Sequence, residues 1–161
     1  MYYTSEQHKV SGTILGEAVS GFGGLDQCWL PAGVTWFQSK TFLNLYDYWF
    51  YWANRYADGS TDYGLAFHGP GNSNLCFYGD EGKASVSTET EVEFNIRWAA
   101  EGYPEEINIK TGSHQFRWTC DSRATPMPQE ALGWTTGRVI NLSKKDLPVE
   151  GNSNIEYHVK K

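Results

Sequence analysis

Several absences narrow this 161-residue chain before any motif is read. It has no basic surplus. Lys and Arg number 13 against 19 Asp and Glu, and a net charge of −6 leaves no electrostatic footprint for DNA or RNA. It has no apolar stretch near the length of a bilayer span and no positive-then-apolar leader at its N-terminus. Those features fit a mature extracellular form, the favoured location, or a protein made without a classical signal. Cysteine is sparse. Cys28, Cys76 and Cys120 form no C-x-x-C and stand at no ligand spacing with His8, His68, His114 or His158, so no metal is expected. One disulfide with a free thiol, or three free thiols, are both open. Also missing are a Gly-x-Ser-x-Gly elbow, a P-loop and a dinucleotide fingerprint, so no cofactor is expected. Asp58-Gly-Ser-Thr-Asp62 and Gly79-Asp80-Glu81 offer oxygens but no D-x-D-x-D-G calcium loop, and both read as turns. Leu, Ile, Met and Ala are scarce for a helical protein, and no long amphipathic helix is present.

Aromatic residues, at 16%, and 17 scattered glycines take their place. The clearest element is Ala84 to Trp98. Val86, Thr88, Thr90, Val92, Phe94, Ile96 and Trp98 fall on one face, opposite Ser87, Glu89, Glu91, Glu93, Asn95 and Arg97. Such alternation predicts a half-exposed antiparallel strand, kinked or bulged midway. His114–Cys120, Glu106–Lys110 and Asn154–Val159 repeat the pattern. Further strands are expected at Val34–Ser39, Phe42–Ala53, Tyr63–His68, Leu75–Tyr78 and Arg138–Leu142, with one helical turn at Met127–Leu132. Turn signals such as Ala57-Asp58-Gly59 and Gly69-Pro70-Gly71-Asn72 separate them. The expected fold is all-β: a single-domain antiparallel β-sandwich over residues 1–161, jelly-roll or Greek-key, with little helix. Residues 1–30 read as an edge strand or a mobile arm.

The most concentrated feature is Tyr46-Asp47-Tyr48-Trp49-Phe50-Tyr51-Trp52. Tyr46, Tyr48, Phe50 and Trp52 share one strand face; Leu45, Asp47, Trp49 and Tyr51 share the other. Two outcomes are open: burial on both faces, or a second face that serves as a flat platform for sugar rings or a lipid interface. Asn54, Arg55, Asp58, Asp62 and Tyr63 follow, residue types that pair with vicinal hydroxyls. The ligand-binding candidates are therefore Trp49, Tyr51, Trp52, Asn54, Arg55, Asp58, Asp62 and Tyr63.

Glu89, Glu91 and Glu93 share a strand face, where i and i+2 lie roughly 7 Å apart, a usable separation for glycosidase carboxylates. Glu89-Thr90-Glu91-Val92-Glu93-Phe94 resembles the Glu-x-Asp-x-Glu strand of jelly-roll β-glucanases. That resemblance implies Glu89 as nucleophile and Glu93 as acid/base, with Glu91 where the family carries a supporting Asp. Acid alternation on a solvated strand face is the plainer reading. Asn141-Leu142-Ser143 is a formal glycosylation sequon.

Three patches in order resemble actinoporin-like cytolysins and their lectin relatives. They are Gly12-Thr13-Ile14, Ala66-Phe67 followed by Gly71-Asn72-Ser73-Asn74-Leu75, and the terminal Ile155-Glu156-Tyr157-His158-Val159-Lys160-Lys161. Tyr46–Tyr51 is similar to that family's membrane-binding aromatic cluster but falls earlier in the chain. The resemblance implies a β-sandwich and a glycan or glycolipid ligand at a membrane surface. The leading functional expectation is a non-enzymatic, lectin-like recognition domain. A pore-forming cytolysin is the alternative, and a small glycoside hydrolase using Glu89 and Glu93 comes third. A homo-oligomer is left open.

Overall fold

The computed structural model describes residues 2–35, 38–40, 47–80, 83–88, 91–121, 127–128 and 132–158. The chain forms two compact units, Met1–Phe42 and Leu43–Lys161. The first is built on a long hairpin. β1 (Tyr2–Ile14) pairs antiparallel with β2 (Glu17–Trp29), from Tyr2 opposite Trp29 to Ile14 opposite Glu17. Leu15 and Gly16, at φ 52° and 87°, make the two-residue turn, whose twist suits the flanking strands. The stretch for which edge strand and arm were both open is thus a regular two-stranded sheet. Beyond it, the strand expected at Val34–Ser39 does not form over its described residues. Val34 N–H closes a turn on the Pro31 carbonyl, Gln38 N–H closes another on that of Thr35, and Gln38 Oε1 accepts from Thr35. Local side-chain bonding of this kind competes with a sheet ladder.

The second unit carries β3 (Tyr48–Arg55), β4 (Thr61–Gly69), β5 (Ser73–Asp80), β6 (Lys83–Thr88), β7 (Glu93–Trp98), β8 (Pro104–Lys110), β9 (Gln115–Cys120), β10 (Met127–Pro128), β11 (Leu132–Asn141) and β12 (Glu150–His158). All pairs are antiparallel, and one path of pairing runs β6-β5-β4-β3-β12-β11-β9-β8-β7, with β10 added on β11. The expectation of an almost entirely β, antiparallel fold is met. Its described pairings form one continuous sheet, nearly closed into a barrel, and they do not establish the β-sandwich that was expected. Within each half, β3 to β6 and β7 to β9, successive strands pair as neighbours; β9 continues to β11, and the pairing of β12 with β3 joins the two halves.

Both ends of the path are successive pieces of chain. β6 pairs with β5, β7 pairs with β8, and only Glu89–Val92 lie between them. The long strand expected at Ala84–Trp98, interrupted midway, is therefore present as β6 and β7. Its two halves serve opposite edges of the sheet. Asn74 on β5 draws these edges together, donating from Nδ2 to the Val92 carbonyl at 2.8 Å.

The inner face fills the barrel. Phe50 and Trp52 from β3, Ile155 and Tyr157 from β12, Val139 from β11, Phe116 and Trp118 from β9, and Ile107 and Ile109 from β8 make one buried cluster. Phe94 of β7 closes it, its ring edge-on to Phe50 at 6.1 Å. Rings this large fit because neighbouring strands place glycine beneath them. Gly64 stands opposite Trp52 in the ladder, and Gly133 opposite Tyr157; a methyl group at either would overlap the ring. Such ring-over-glycine pairs pin register as well as volume.

Two further expectations are corrected or set aside. Met127 and Pro128 belong to strand β10, opposite Trp134 and Gly133, so they do not open a helical turn. Residues 41–46, and with them Leu45 and Tyr46 of the aromatic run, lie outside the described residues, as do Glu89, Thr90, Val159, Lys160 and Lys161. The three cysteines are free thiols. No helix among the described residues is long and apolar enough to cross a membrane.

Candidate functional site

β3 resolves the aromatic run. Tyr48, Phe50 and Trp52 point into the core, with Trp52 0% exposed, while Trp49 and Tyr51 point outward and are half-buried. The outer rings tilt against each other at 5.6 Å between centroids. Trp52 thus packs against Phe116 and Phe50 and belongs to the core, not to an outer platform. Tyr63 lies over Gly79 on the outer face. Arg55 is paired with Glu150 at 2.8 Å, and Asp58 accepts from the Ser60 N–H at 2.9 Å; hydrogen bonding from Ser60, its side chain first and then its N–H, holds the Asp58 carboxyl below the ordinary range. Among the eight candidates, a side-chain hydrogen bond joins Asn54 to Asp62, and both are buried.

Their setting is an internal polar plug. The inner face is apolar at mid-barrel and turns polar where β3, β5 and β11 end and β4 begins. Asp62, 0% exposed, accepts from Asn54 Nδ2 at 2.9 Å and from the Tyr56 hydroxyl at 2.6 Å. Asn141 Nδ2 donates to the Tyr78 hydroxyl at 3.0 Å and lies 3.4 Å from Asp62 Oδ2. Lys144 caps the plug. Its ammonium is 3.2 Å from Asp80, 3.7 Å from Asp62 and 4.2 Å above the centre of the Tyr56 ring. These contacts satisfy a carboxylate that would otherwise be very costly to bury. They also use up the groups expected to read hydroxyls. The Asn141 sequon is closed to modification for the same reason, since its amide is buried and engaged.

The plug has a pH signature. Burial, followed by the Asp62 hydrogen bond, pushes the Tyr56 phenol far above its ordinary value; burial and the Asp62 charge do the same to Tyr78. Burial raises Tyr48 to about 12. A raised phenol pKa stabilises the fold fully below the unfolded value, about 10, and that stability is lost as pH rises beyond it. Urea titrations should therefore show stability falling steadily above about pH 10, with a shallower slope in Tyr56→Phe. An identical slope in that variant would remove Tyr56 from the account.

Among the described residues of this unit, a groove of about 750 Å³ opens at the start of β7. Phe94, Ile96, Ile109 and Phe116 give it an apolar floor continuous with the core, and Leu142 forms one wall. Asn74, Asn95, Asn108 and Gln115 are also among its lining residues, Asn95, Asn108 and Gln115 from the outward face of their strands, opposite the floor residues. Asn74 is held twice, since its Oδ1 sits 2.5 Å from His68 Nδ1 while its Nδ2 bonds Val92. With Nδ2 donating to Val92, Oδ1 must face His68, so His68 carries its proton on Nδ1. Asn108 donates to Glu106 at 2.9 Å. Glu93, the expected acid/base, stands at the groove's margin paired with Lys110 at 3.4 Å. Its expected partner, Glu89, lies outside the described residues.

Reasoning from sequence missed this groove because its residues come from five separate stretches of chain. The Asn95–Asn108 cross-strand pair was readable as two outward amides, but its neighbours were not. No known family model matches the chain, and no curated protein matches it. Among solved structures, a Nitrosomonas europaea protein provisionally named AttH is similar in fold, with a TM-score of 0.55 and 19% identity. The likeness covers 99% of this chain and 52% of that one, so the chain spans about half the neighbour's length.

Proposed function

We propose that this protein is a non-enzymatic recognition domain that binds carbohydrate in the β7 groove. The observation that carries the reading is the groove's lining, in which the apolar and aromatic floor of the inner face meets the carboxamide residues Asn95, Asn108 and Gln115 of the outward face. Sugars present C–H faces that stack on a ring such as Phe94, and hydroxyls that carboxamides satisfy as donor and acceptor at once. Mouths and side openings of β-barrels are common places for such sites. Asn95 and Gln115 fit the reading role best. Neither side chain makes a hydrogen bond among the described residues, so neither must abandon a partner to take a ligand. The outward Trp49–Tyr51 pair of β3 does not line the groove and is not needed. An extracellular setting suits such a domain.

A broad glycan array provides the test. Binding should fall about tenfold or more in Asn95→Ala and in Gln115→Ala, the loss expected for one or two ligand hydrogen bonds. Thermal unfolding should be unchanged, because both side chains are dispensable to the fold. Trp49→Ala should bind as the parent does. Silence across the array, or binding lost with Trp49 and kept without Asn95 and Gln115, would refute the groove as a carbohydrate site.

A further inference from the structure

The hairpin of the first unit has two unlike faces. In an antiparallel pair, residues that stand opposite each other carry their side chains to the same side, and the next pair along carries them to the other. With Val10 opposite Gly21, Gly12 opposite Val19 and Ile14 opposite Glu17, one face collects Val10, Ile14, Val19, Leu25 and Trp29. All five are exposed, and Val19, the least exposed of them, still stands at 40%. Among the described side chains the other face carries Lys9, Ser11, Thr13, Ser20 and Asp26, with Phe22 half-buried. A two-stranded ribbon with its apolar face uncovered is marginal in water until a layer packs on that face.

The relief of the face selects the layer. Val10 and Val19 hold two diagonal corners of a four-residue patch, and Gly12 and Gly21 hold the other two. Nothing beyond their chain neighbours comes within 4 Å of the place a side chain would fill on Gly12 or Gly21, so each glycine is an open hole opposite a valine knob. A half-turn about an axis parallel to the strands sets the Val10 of a second copy over Gly21 and the Val19 of that copy over Gly12. The same operation seats the first copy's valines in the second copy's holes, the self-complementarity that a two-fold interface demands. It also stacks the whole thirteen-residue length of both strands, whereas an axis running across the strands at this patch would leave Leu25 and Trp29 outside. No like charges meet, because the half-turn lays Glu6 over Leu25, His8 over Gly23 and Glu17 over Ile14. At about 3.4 Å per residue and roughly 10 Å of width, the footprint is on the order of 450 Å² per copy before side-chain relief is added. The pair thus reaches about the 1,000 Å² of a weak specific interface.

We propose that this face is a dimer interface, on which two copies of the chain stack their hairpins face to face, each valine seated over a glycine of the other copy. A lipid surface or an unrelated protein could take the apolar side chains, but neither calls for knobs and holes exchanged by a two-fold axis. The pairing stands on the first unit alone and is independent of the carbohydrate reading of the groove.

Sedimentation velocity of the full chain over roughly 1–200 µM, the range suited to a weak interface, tests the pairing. Reductant is present throughout, so that a disulfide through the exposed Cys28 cannot supply a dimer. A dimer should appear as concentration rises. Gly21→Val, which fills a hole with a residue that favours strands, should weaken it about tenfold or more, since the two-fold axis makes the clash twice. Ser20→Val, the same gain on the other face, should leave it unchanged. Val10→Gly combined with Gly21→Val exchanges a knob with the hole opposite and should return the dimer toward the parent's strength. That recovery would also show that Gly21→Val acts at the interface and not by unfolding the hairpin. A chain that stays monomeric at every concentration would overturn the proposal. So would a dimer that Gly21→Val leaves equal or strengthens, the mark of edge pairing or of unspecific apolar adhesion, and so would a double variant as weak as Gly21→Val alone.

Discussion

Replacing Asp62 by alanine should destabilise the second unit by about 3–5 kcal/mol, the range for removing one partner from a buried polar network. The loss comes from what is left behind. Asn54 Nδ2 keeps only the Val139 carbonyl, at 3.2 Å, while the Tyr56 hydroxyl loses its acceptor outright. Lys144 keeps Asp80 and some solvent, so the damage falls on the neutral donors, not on a stranded cation. Asp62→Asn should cost less, since one oxygen can still accept from Tyr56. Urea denaturation gives the measurement, and a loss under about 1 kcal/mol, the scale of an ordinary surface change, would mean water already shares the plug. Adding Tyr56→Phe to Asp62→Ala should recover stability, because the stranded hydroxyl goes with it.

Gly64→Ala should cost about 3 kcal/mol, the upper part of the range for overpacking a filled core. A methyl group there would fall within the benzo ring of Trp52, which has no room to retreat: Phe116 lies 4.9 Å from it and Phe50 5.7 Å. The penalty belongs to the ring, not to the backbone of β4. In a Trp52→Leu background the same Gly64→Ala change should therefore be close to neutral, as a double-mutant cycle on chemical denaturation would show. An undiminished penalty in that background would place the clash elsewhere. Gly133, opposite Tyr157, is held by the same geometry.

Much of the sheet could be read from the chain, and the reason is local. Phe116 and Trp118 alternate with Gln115 and Arg117 because β9 has one face on the core and one in water, and β7 and β12 show the same period. Alternation says which face is buried, but not which strands meet. The curl from β3 round to β7, and hence the groove, depends on pairings between distant residues and left no periodic trace. The polar candidates misled for a related reason. Asn54 and Asp62 look like ligand readers when their neighbours are Arg55 and Asp58, yet the inner-face position of Asn54 and the arrival of Asn141 from 79 residues beyond Asp62 make them core. In the aromatic run, Trp49 and Tyr51 differ from Phe50 and Trp52 only in facing outward, and composition is blind to that.

The pairing of β12 with β3 has a consequence for how the chain folds. Most other neighbours in the sheet are close in sequence and can zip as they are met, whereas Trp49 must find Glu156 and Tyr51 must find Asn154. The entropy of closing so large a loop is concentrated in that one ladder. Until it forms, the inner faces of β3 and β12, with Phe50, Trp52, Ile155 and Tyr157, lack their full cover. That late seam, more than any exposed edge of the finished sheet, is where the chain is most open to misassembly with its own kind.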